Sequence, residues 1–378
     1  MTHNRIVRLL ALCAVLALAL GAAACGSDEG TEDSGSSGGG GSSGSSSGGK
    51  LSGTINGAGA TFPQPVYQEW AANMKEQGLT VNYQGIGSGG GIAQFTAGTV
   101  DFGATDAPMK DEEVTEAKKK GDPVHVPTVL GAVTVSYNVE GLEKGLKLDG
   151  ATIADMFLGN IKKWNDPKIA GQNSGMQLPD ANVTICHRSD ESGTTKNFTE
   201  FLADYSPAWE DGPGVDKSVK WPTGTGAKGN DGVAACIKQN DNSVGYVEQA
   251  YALANNFTYA SVKNKSGSYV EPTLEAASAA GAVKEIPDDL RFSTINAEAA
   301  EAYPITAITF LLVWQDMCKS GLDEAKAKNV VAWLNYGLGD GQGVAQQLQY
   351  APLPDDIKAP AKAKVDGLVC NGSPISGS

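Results

Sequence analysis

Four short segments, residues 57–62, 85–91, 101–106 and 188–195, are rich in glycine and hydroxyl side chains, and three of them run straight into a helical pattern. Free N–H groups at a helix start carry partial positive charge, so several such starts meeting at one point, with Ser and Thr hydroxyls added, can hold a small oxyanion without a metal. The one full positive charge in the set is Arg188, while Asp106 and Asp190 contribute two carboxylates. A site for a fully ionised anion has no use for both; a site for a protonated anion does. Taken singly, each segment has a plainer use. Arg188 and Asp190 fit a surface ion pair beside a helix cap, Thr61 before Pro63 fits another cap, and Gly89 to Gly91 fit a tight turn.

The elements that must carry these segments alternate. Residues 51–56, 81–84, 100–104, 129–138, 183–187, 243–247 and 306–313 read as strands. Residues 92–97, 112–119, 194–205, 232–239, 322–336 and 343–349 read as helices, and Thr61-Phe62-Pro63 opens another in which Val66, Trp70 and Met74 recur at helical spacing. This is an α/β pattern, expected to pair mainly in parallel. It fits a two-lobed chain that crosses and returns, and equally one large doubly wound sheet. Tyr67, Trp70, Trp164 and Trp221 are expected in cores rather than on a ligand.

At the N-terminus Arg5 and Arg8 precede an apolar run from Leu9 to Leu20, then Gly21-Ala-Ala-Ala24 and Cys25, the layout of a bacterial lipoprotein signal. A retained membrane helix needs about 20 apolar residues, and this run is too short. The expectation is a signal peptide over 1–24 and a lipid on Cys25, although Ala22 stands three before the cysteine where such signals prefer Leu. Residues 25–50 are Gly and Ser with a few acids, unable to bury enough surface to fold and suited to a flexible tether. About 330 residues remain, enough for two lobes.

The formal net charge of −14 argues against nucleic acid or an anionic membrane surface as partner. A chain with that field must hold an anion through local dipoles. Once Cys13 leaves with the signal, Cys186, Cys236, Cys318 and Cys370 remain, with three possible pairings, in keeping with an oxidising compartment. There is no CxxC, and His3, His125 and His187 are scattered, so neither metal nor cofactor is expected.

Gly57-Ala-Gly-Ala-Thr61-Phe62-Pro63, Val81-Asn-Tyr-Gln-Gly-Ile-Gly-Ser88-Gly-Gly-Gly91 and Thr99-Val-Asp-Phe-Gly-Ala-Thr-Asp106 closely resemble the phosphate-binding proteins of bacterial high-affinity phosphate ABC transporters. So, in the same order, do Gly159-Asn-Ile-Lys-Lys-Trp-Asn-Asp166, Arg188-Ser-Asp-Glu-Ser-Gly-Thr194, Lys220-Trp-Pro222, Gly229-Asn-Asp-Gly232, Val244-Gly-Tyr-Val-Glu248 and Tyr303-Pro-Ile-Thr306. The resemblance implies a two-lobed periplasmic-binding-protein-like (type II) fold with ligand in the interlobe cleft. Lobe I would comprise 51–138 and 305–378, and lobe II 139–304. It implies a monomeric, lipid-anchored receptor outside the cytoplasm that delivers inorganic phosphate to ABC permease subunits.

The same resemblance assigns phosphate contacts to Thr61, Phe62, Ser88, Asp106 (the acceptor), Arg188, Ser192, Gly193 and Thr194, with Asp190 holding the arginine. Glu191 departs from it, since many members have glycine there. With the lobes so drawn, Cys186–Cys236 and Cys318–Cys370 are the pairings that stay within a lobe and leave the hinge free. Two enzymes compete. Gly85-Ile-Gly-Ser-Gly-Gly90 satisfies GxGxxG with Asp106 about 20 residues on, a dinucleotide fingerprint that leaves Arg188 unexplained. A phosphatase needs an activated nucleophile, and His187 is the single candidate base near Ser192 and Thr194.

Overall fold

One strand holds the molecule together. Residues 123–138, rich in valine and interrupted by single polar residues, form β4 (Pro123–Asn138), buried at every position but its two ends. In the computed structural model, which describes residues 51–375, β4 is shared by two halves of a sheet. Its Pro123–Ala132 stretch pairs antiparallel with the Thr306–Trp314 strand, and Val133–Asn138 pairs antiparallel with Ser243–Glu248. The handover falls between Ala132 and Val133.

Beyond Thr306–Trp314 the first half continues to β3 (Phe102–Thr105), β1 (Gly53–Gly59) and β2 (Leu79–Gly85), with β1 parallel to both of its neighbours. Beyond Ser243–Glu248 the second half continues through Thr184–Arg188 and Thr225–Ala227, also parallel. Parallel pairing therefore holds within the flanks, and the expectation of a mainly parallel sheet is corrected at the centre. There the chain leaves one half along β4 and returns along Thr306–Trp314, and two such passes must run in opposite directions.

The early start of β4, six residues before the expected one, has a local cause. Pro123 and Pro127 read as breakers, but the register shifts between Thr309 and Phe310, opposite Pro127. An irregularity is where a strand tolerates a residue with no N–H to give.

Helices cover both halves. In α1 (Gln64–Glu76) Val66, Tyr67, Trp70 and Met74 are buried, as their spacing predicts. Trp70 packs on Trp333 with ring centroids 5.7 Å apart and donates from Nε1 to the Gly341 carbonyl at 2.8 Å. Removing such a ring costs about 3–5 kcal/mol. In the second half Tyr246 stacks on Phe198 at 4.3 Å, and Trp221 on His187 at 4.6 Å. Tyr137 and Trp164 pack together at 5.8 Å; of the four aromatics expected in cores Tyr67, Trp70 and Trp164 are buried there, and Trp221 is partly buried and packs against the core.

The disulfides are Cys186–Cys236, tying a second-half strand to the Gly229–Gln239 helix, and Cys318–Cys370, both of whose cysteines follow the Thr306–Trp314 strand. Neither links the two halves. The expected signal peptide (1–24), Cys25 and the tether (25–50) lie outside the described residues. Among the described residues no helix is long and apolar enough to cross a membrane.

Candidate functional site

The glycine-rich segments converge. Thr61 and Phe62 sit between β1 and α1, whose start carries Pro63 and no side-chain cap. Ser88 begins α2 (Ser88–Ala97) after Gly87, at φ 93°, again without a side-chain cap. Asp106 follows β3. From the second half come Arg188, at the end of its strand, and Gly193 and Thr194, the first residues of the Gly193–Tyr205 helix. Thr61, Ser88, Asp106, Arg188, Ser192 and Thr194 are all buried.

Direct contacts join them into one constellation. The Ser88 hydroxyl oxygen accepts the Gly193 N–H at 3.0 Å and the Asp106 N–H at 3.2 Å. The Thr61 hydroxyl oxygen accepts two donors from Asn230, its backbone N–H at 3.1 Å and its side-chain amide at 2.9 Å. The same amide lies 3.4 Å from the Thr194 hydroxyl, which Arg188 Nη1 approaches to 3.5 Å. A hydroxyl has two acceptor positions and one proton. With both acceptor positions taken, Thr61 and Ser88 are left with only a proton to offer. Ser192 accepts the Thr195 N–H at 3.0 Å as a helix cap, which still leaves its own proton to give.

The two carboxylates have separate uses. Asp190 accepts Arg188 Nε at 2.7 Å and Nη2 at 2.6 Å, a two-pronged pair, and a third N–H from Gly229 at 3.1 Å. Burial alone would raise its pKa, but Arg188 outweighs that and holds the carboxyl below the usual carboxylate range. Asp190 thus fixes the arginine and is neutralised by it.

Asp106 has no such partner. Burial pushes its pKa up to about 7, against the hydrogen bond from Thr309 and the field of Arg188. The Thr309 hydroxyl donates to Oδ1 at 2.9 Å, and Asn197 holds the Asp106 carbonyl at 2.7 Å. What remains is one carboxyl among hydroxyl donors and a guanidinium: a cage of donors with a single acceptor.

The halves approach each other closely. The Gly89 N–H donates to the Glu191 carbonyl at 3.0 Å, and a Cβ on Gly89 would fall 2.0 Å from Glu191 Oε2. A Cβ on Gly193 would meet Ser88 Oγ at 2.6 Å, so only glycine allows these contacts. Glu191 is exposed and adds a backbone acceptor to the clamp. Farther out, Lys110 pairs with Asp216 at 2.7 Å, and Lys217 with Glu113 of α3 (Asp111–Ala117) at 2.5 Å. The Lys217 carbonyl also accepts the Ser192 N–H at 2.8 Å.

Several residues that build the site carry no functional assignment from the sequence. Asn230 belongs to Gly229-Asn-Asp-Gly232, where an Asn at a helix start is the available signal. Tyr251 donates to the Thr61 carbonyl at 2.5 Å, and the Tyr350 hydroxyl lies 2.7 Å from the Phe62 carbonyl and 2.8 Å from Glu248 Oε2. These residues and Thr309 sit in ordinary strands, helices and loops, with no local pattern to betray them. The competing enzymes lose their residues. His187 lies stacked on Trp221 with Nδ1 against the Arg188 carbonyl at 2.9 Å, so it is not placed as a base for Ser192 or Thr194. Asp106, the proposed ribose carboxylate, has Oδ1 on the Thr309 hydroxyl and packs against Gly193 of the second half, where an added Cβ would lie 2.7 Å from its own Cβ.

Known proteins share this plan. A family model described as the PBP superfamily domain matches residues 44–335. The phosphate-binding protein PstS of Pasteurella multocida is 42% identical over 308 residues, covering 80% of this chain and 87% of that one. Among solved structures, a high-affinity periplasmic phosphate-binding protein (PfluDING) bound with phosphate aligns with TM-score 0.68 at 23% identity, over 82% of this chain and 93% of that one. A putative phosphate ABC transporter substrate-binding protein with bound phosphate, from Clostridium perfringens, aligns with TM-score 0.59 at 17% identity, over 80% of this chain and 100% of that one. At these identities the solved structures speak for the fold, which is two-lobed and binding-protein-like. The relatives are named for binding, not for turnover.

Proposed function

We propose that this chain, which belongs to the PBP superfamily and within it to the PstS phosphate-binding proteins, binds inorganic phosphate in the cleft between two lobes and delivers it to an ABC permease. Lobe I is 51–138 with 305–378, and lobe II is 139–304. The protein acts as a monomer outside the cytoplasm, held at the membrane by a lipid on Cys25 after removal of residues 1–24, with 25–50 as its tether. It uses no metal or cofactor.

The observation that carries this function is the pairing of a donor cage with one carboxyl. Thr61, Ser88 and Thr194 offer hydroxyls, Phe62 offers an N–H at a helix start, Gly193 gives its N–H to Ser88 and so turns the Ser88 proton toward the ligand, and Arg188, pinned by Asp190, supplies the charge. Ser192 donates beside them. Asp106 accepts a hydrogen bond from the ligand. At neutral pH phosphate still carries a proton to give, and sulfate does not. Closing the cleft brings Thr61 and Ser88 of the first half against Asn230, Thr194 and Gly193 of the second, so binding and closure are one event.

Isothermal titration with phosphate tests this. The parent protein should bind, and Arg188→Ala should lose at least about 2 kcal/mol, the scale of losing a buried charged partner. An Arg188→Ala protein that binds as tightly as the parent would remove the second half from the site.

A further inference from the structure

At the handover between the two halves lies a carboxyl that binding does not explain. Glu248 ends the Ser243–Glu248 strand and is fully buried. Among the described residues no lysine or arginine pairs with it, and its Oε1 has no hydrogen-bond partner. Oε1 faces apolar surroundings: a Cβ placed on Gly131 would lie 3.3 Å from it and 2.6 Å from the Phe62 ring. A carboxylate with one bare oxygen in such a place costs several kcal/mol, whereas a neutral acid does not.

The proton count on Tyr350 gives the same answer independently. Its hydroxyl oxygen is 2.7 Å from the Phe62 carbonyl and 2.8 Å from Glu248 Oε2, both hydrogen-bond distances, and a phenol has one proton. If Glu248 were ionised, one of the two contacts would set acceptor against acceptor. A proton on Glu248 makes both attractive.

Three holders of the cage meet at this residue. Its backbone N–H donates to Asn230 Oδ1 at 2.9 Å, orienting the amide that serves Thr61. Its Oε2 accepts the Ala250 N–H at 2.8 Å and so caps the Gln249–Ala254 helix that carries Tyr251. Tyr251 holds the Thr61 carbonyl, fixing the peptide whose N–H is that of Phe62, while Tyr350 fixes the next peptide.

We propose that Glu248 is a positioning residue kept as a neutral carboxylic acid: its Oε2–H donates to the Tyr350 oxygen, Tyr350 donates to the Phe62 carbonyl, and the Thr61–Phe62 backbone is thereby locked with its donors facing the ligand. The titratable and charged groups around it are Tyr350, Tyr251 and Asp106, with Arg188 and Asp231 beyond Tyr251. Burial first, and the field of Asp106 in addition, drive the Glu248 pKa well above its ordinary value, and both tyrosines keep their protons as well.

The inference rests on the phosphate function for its affinity arm but not for its spectroscopic arm. Infrared spectra of the ligand-free protein, taken at about pH 8 in an Asp106→Asn background to remove the other raised carboxyl, should show a protonated-carboxyl C=O band. Glu248→Gln should abolish this band, and Tyr350→Phe, which removes its acceptor, should move it to higher frequency. In the Asp106-intact protein Glu248→Gln, whose amide can still donate to Tyr350, should bind phosphate within about threefold of the parent, while Glu248→Ala should bind about tenfold more weakly. Absence of the band, or a Gln variant as weak as the Ala variant, overturns the proposal. Should Glu248→Gln fail to fold, the shift in Tyr350→Phe decides. A parent protein that shows the band but binds no phosphate would refute the function and leave the protonated Glu248 standing.

Discussion

Asn230 spends two donors on one oxygen: its backbone N–H and its side-chain amide lie 3.1 and 2.9 Å from the Thr61 hydroxyl. The link crosses from the second half of the sheet to the first and turns the Thr61 proton toward the cage. Asn230→Ala deletes the amide contacts to Thr61 and Thr194 while keeping the backbone one. Phosphate affinity should fall about tenfold, the scale of one to two hydrogen bonds, and the melting temperature should fall as well, because the same side chain accepts the buried Glu248 N–H at 2.9 Å. Titration and a melting curve on the same sample check both halves of this expectation.

Asp106 should destabilise the empty protein at neutral pH. Its carboxyl titrates at about 7 when folded against an ordinary 3.8, so the folded chain holds a proton that the unfolded chain has given up. Stability is then fully present below the lower value and is lost as pH rises toward the higher. Asp106→Asn should raise the melting temperature of the ligand-free protein by a few °C at about pH 8 and leave it nearly unchanged at about pH 4. An Asn variant that melts lower than the parent at about pH 8 would mean that the buried carboxylate is not strained.

The two ion pairs at the mouth should differ in worth. Lys110 and Asp216 are both substantially exposed, whereas the Lys217 side chain is 6% exposed against Glu113 and its carbonyl holds the Ser192 loop. Exposed pairs contribute little. Lys217→Met should weaken phosphate binding by about three- to tenfold through faster release, and Lys110→Met by less than about twofold. Stopped-flow release rates distinguish the two; equal effects would remove Lys217 from the clamp.

Since each disulfide stays within one half, its removal should cost stability without costing the site. Replacing both cysteines of Cys186–Cys236, or of Cys318–Cys370, with serine should lower stability by about 2–4 kcal/mol and leave phosphate affinity within about threefold. Denaturant unfolding together with titration checks this, and a bridge whose loss abolishes binding would be part of the site.

The sequence carried the cage well because its members are local. A glycine-rich turn before a helix start is written in consecutive residues, as at Gly57 to Phe62 and Gly85 to Gly91, and Arg188 and Asp190 stand two apart. The scaffold behind the cage is non-local. Tyr350 reaches Phe62 across 288 positions and Thr309 reaches Asp106 across 203, so no window of sequence holds both partners. The centre of the sheet is hidden from the sequence for a related reason. Direction of pairing depends on where the chain crosses and returns, and neither β4 nor the Thr306–Trp314 strand states that in its own pattern. Pro127 conceals the first third of β4 because a proline reads as a break unless the bulge beside it, where Thr128 is the extra residue, is known.

Competition between anions is the most direct test of the central claim, that one carboxyl in a cage of donors selects a protonated oxyanion. At about pH 8, where Asp106 is mainly ionised, millimolar sulfate should leave phosphate titration of the parent protein unaltered, since facing two acceptors across a buried contact can cost a factor of about 10⁴ or more. Arsenate, which keeps its proton, should compete measurably, and Asp106→Asn should narrow the gap between phosphate and sulfate. Displacement of phosphate from the parent by millimolar sulfate would contradict the account and make the site a general oxyanion binder.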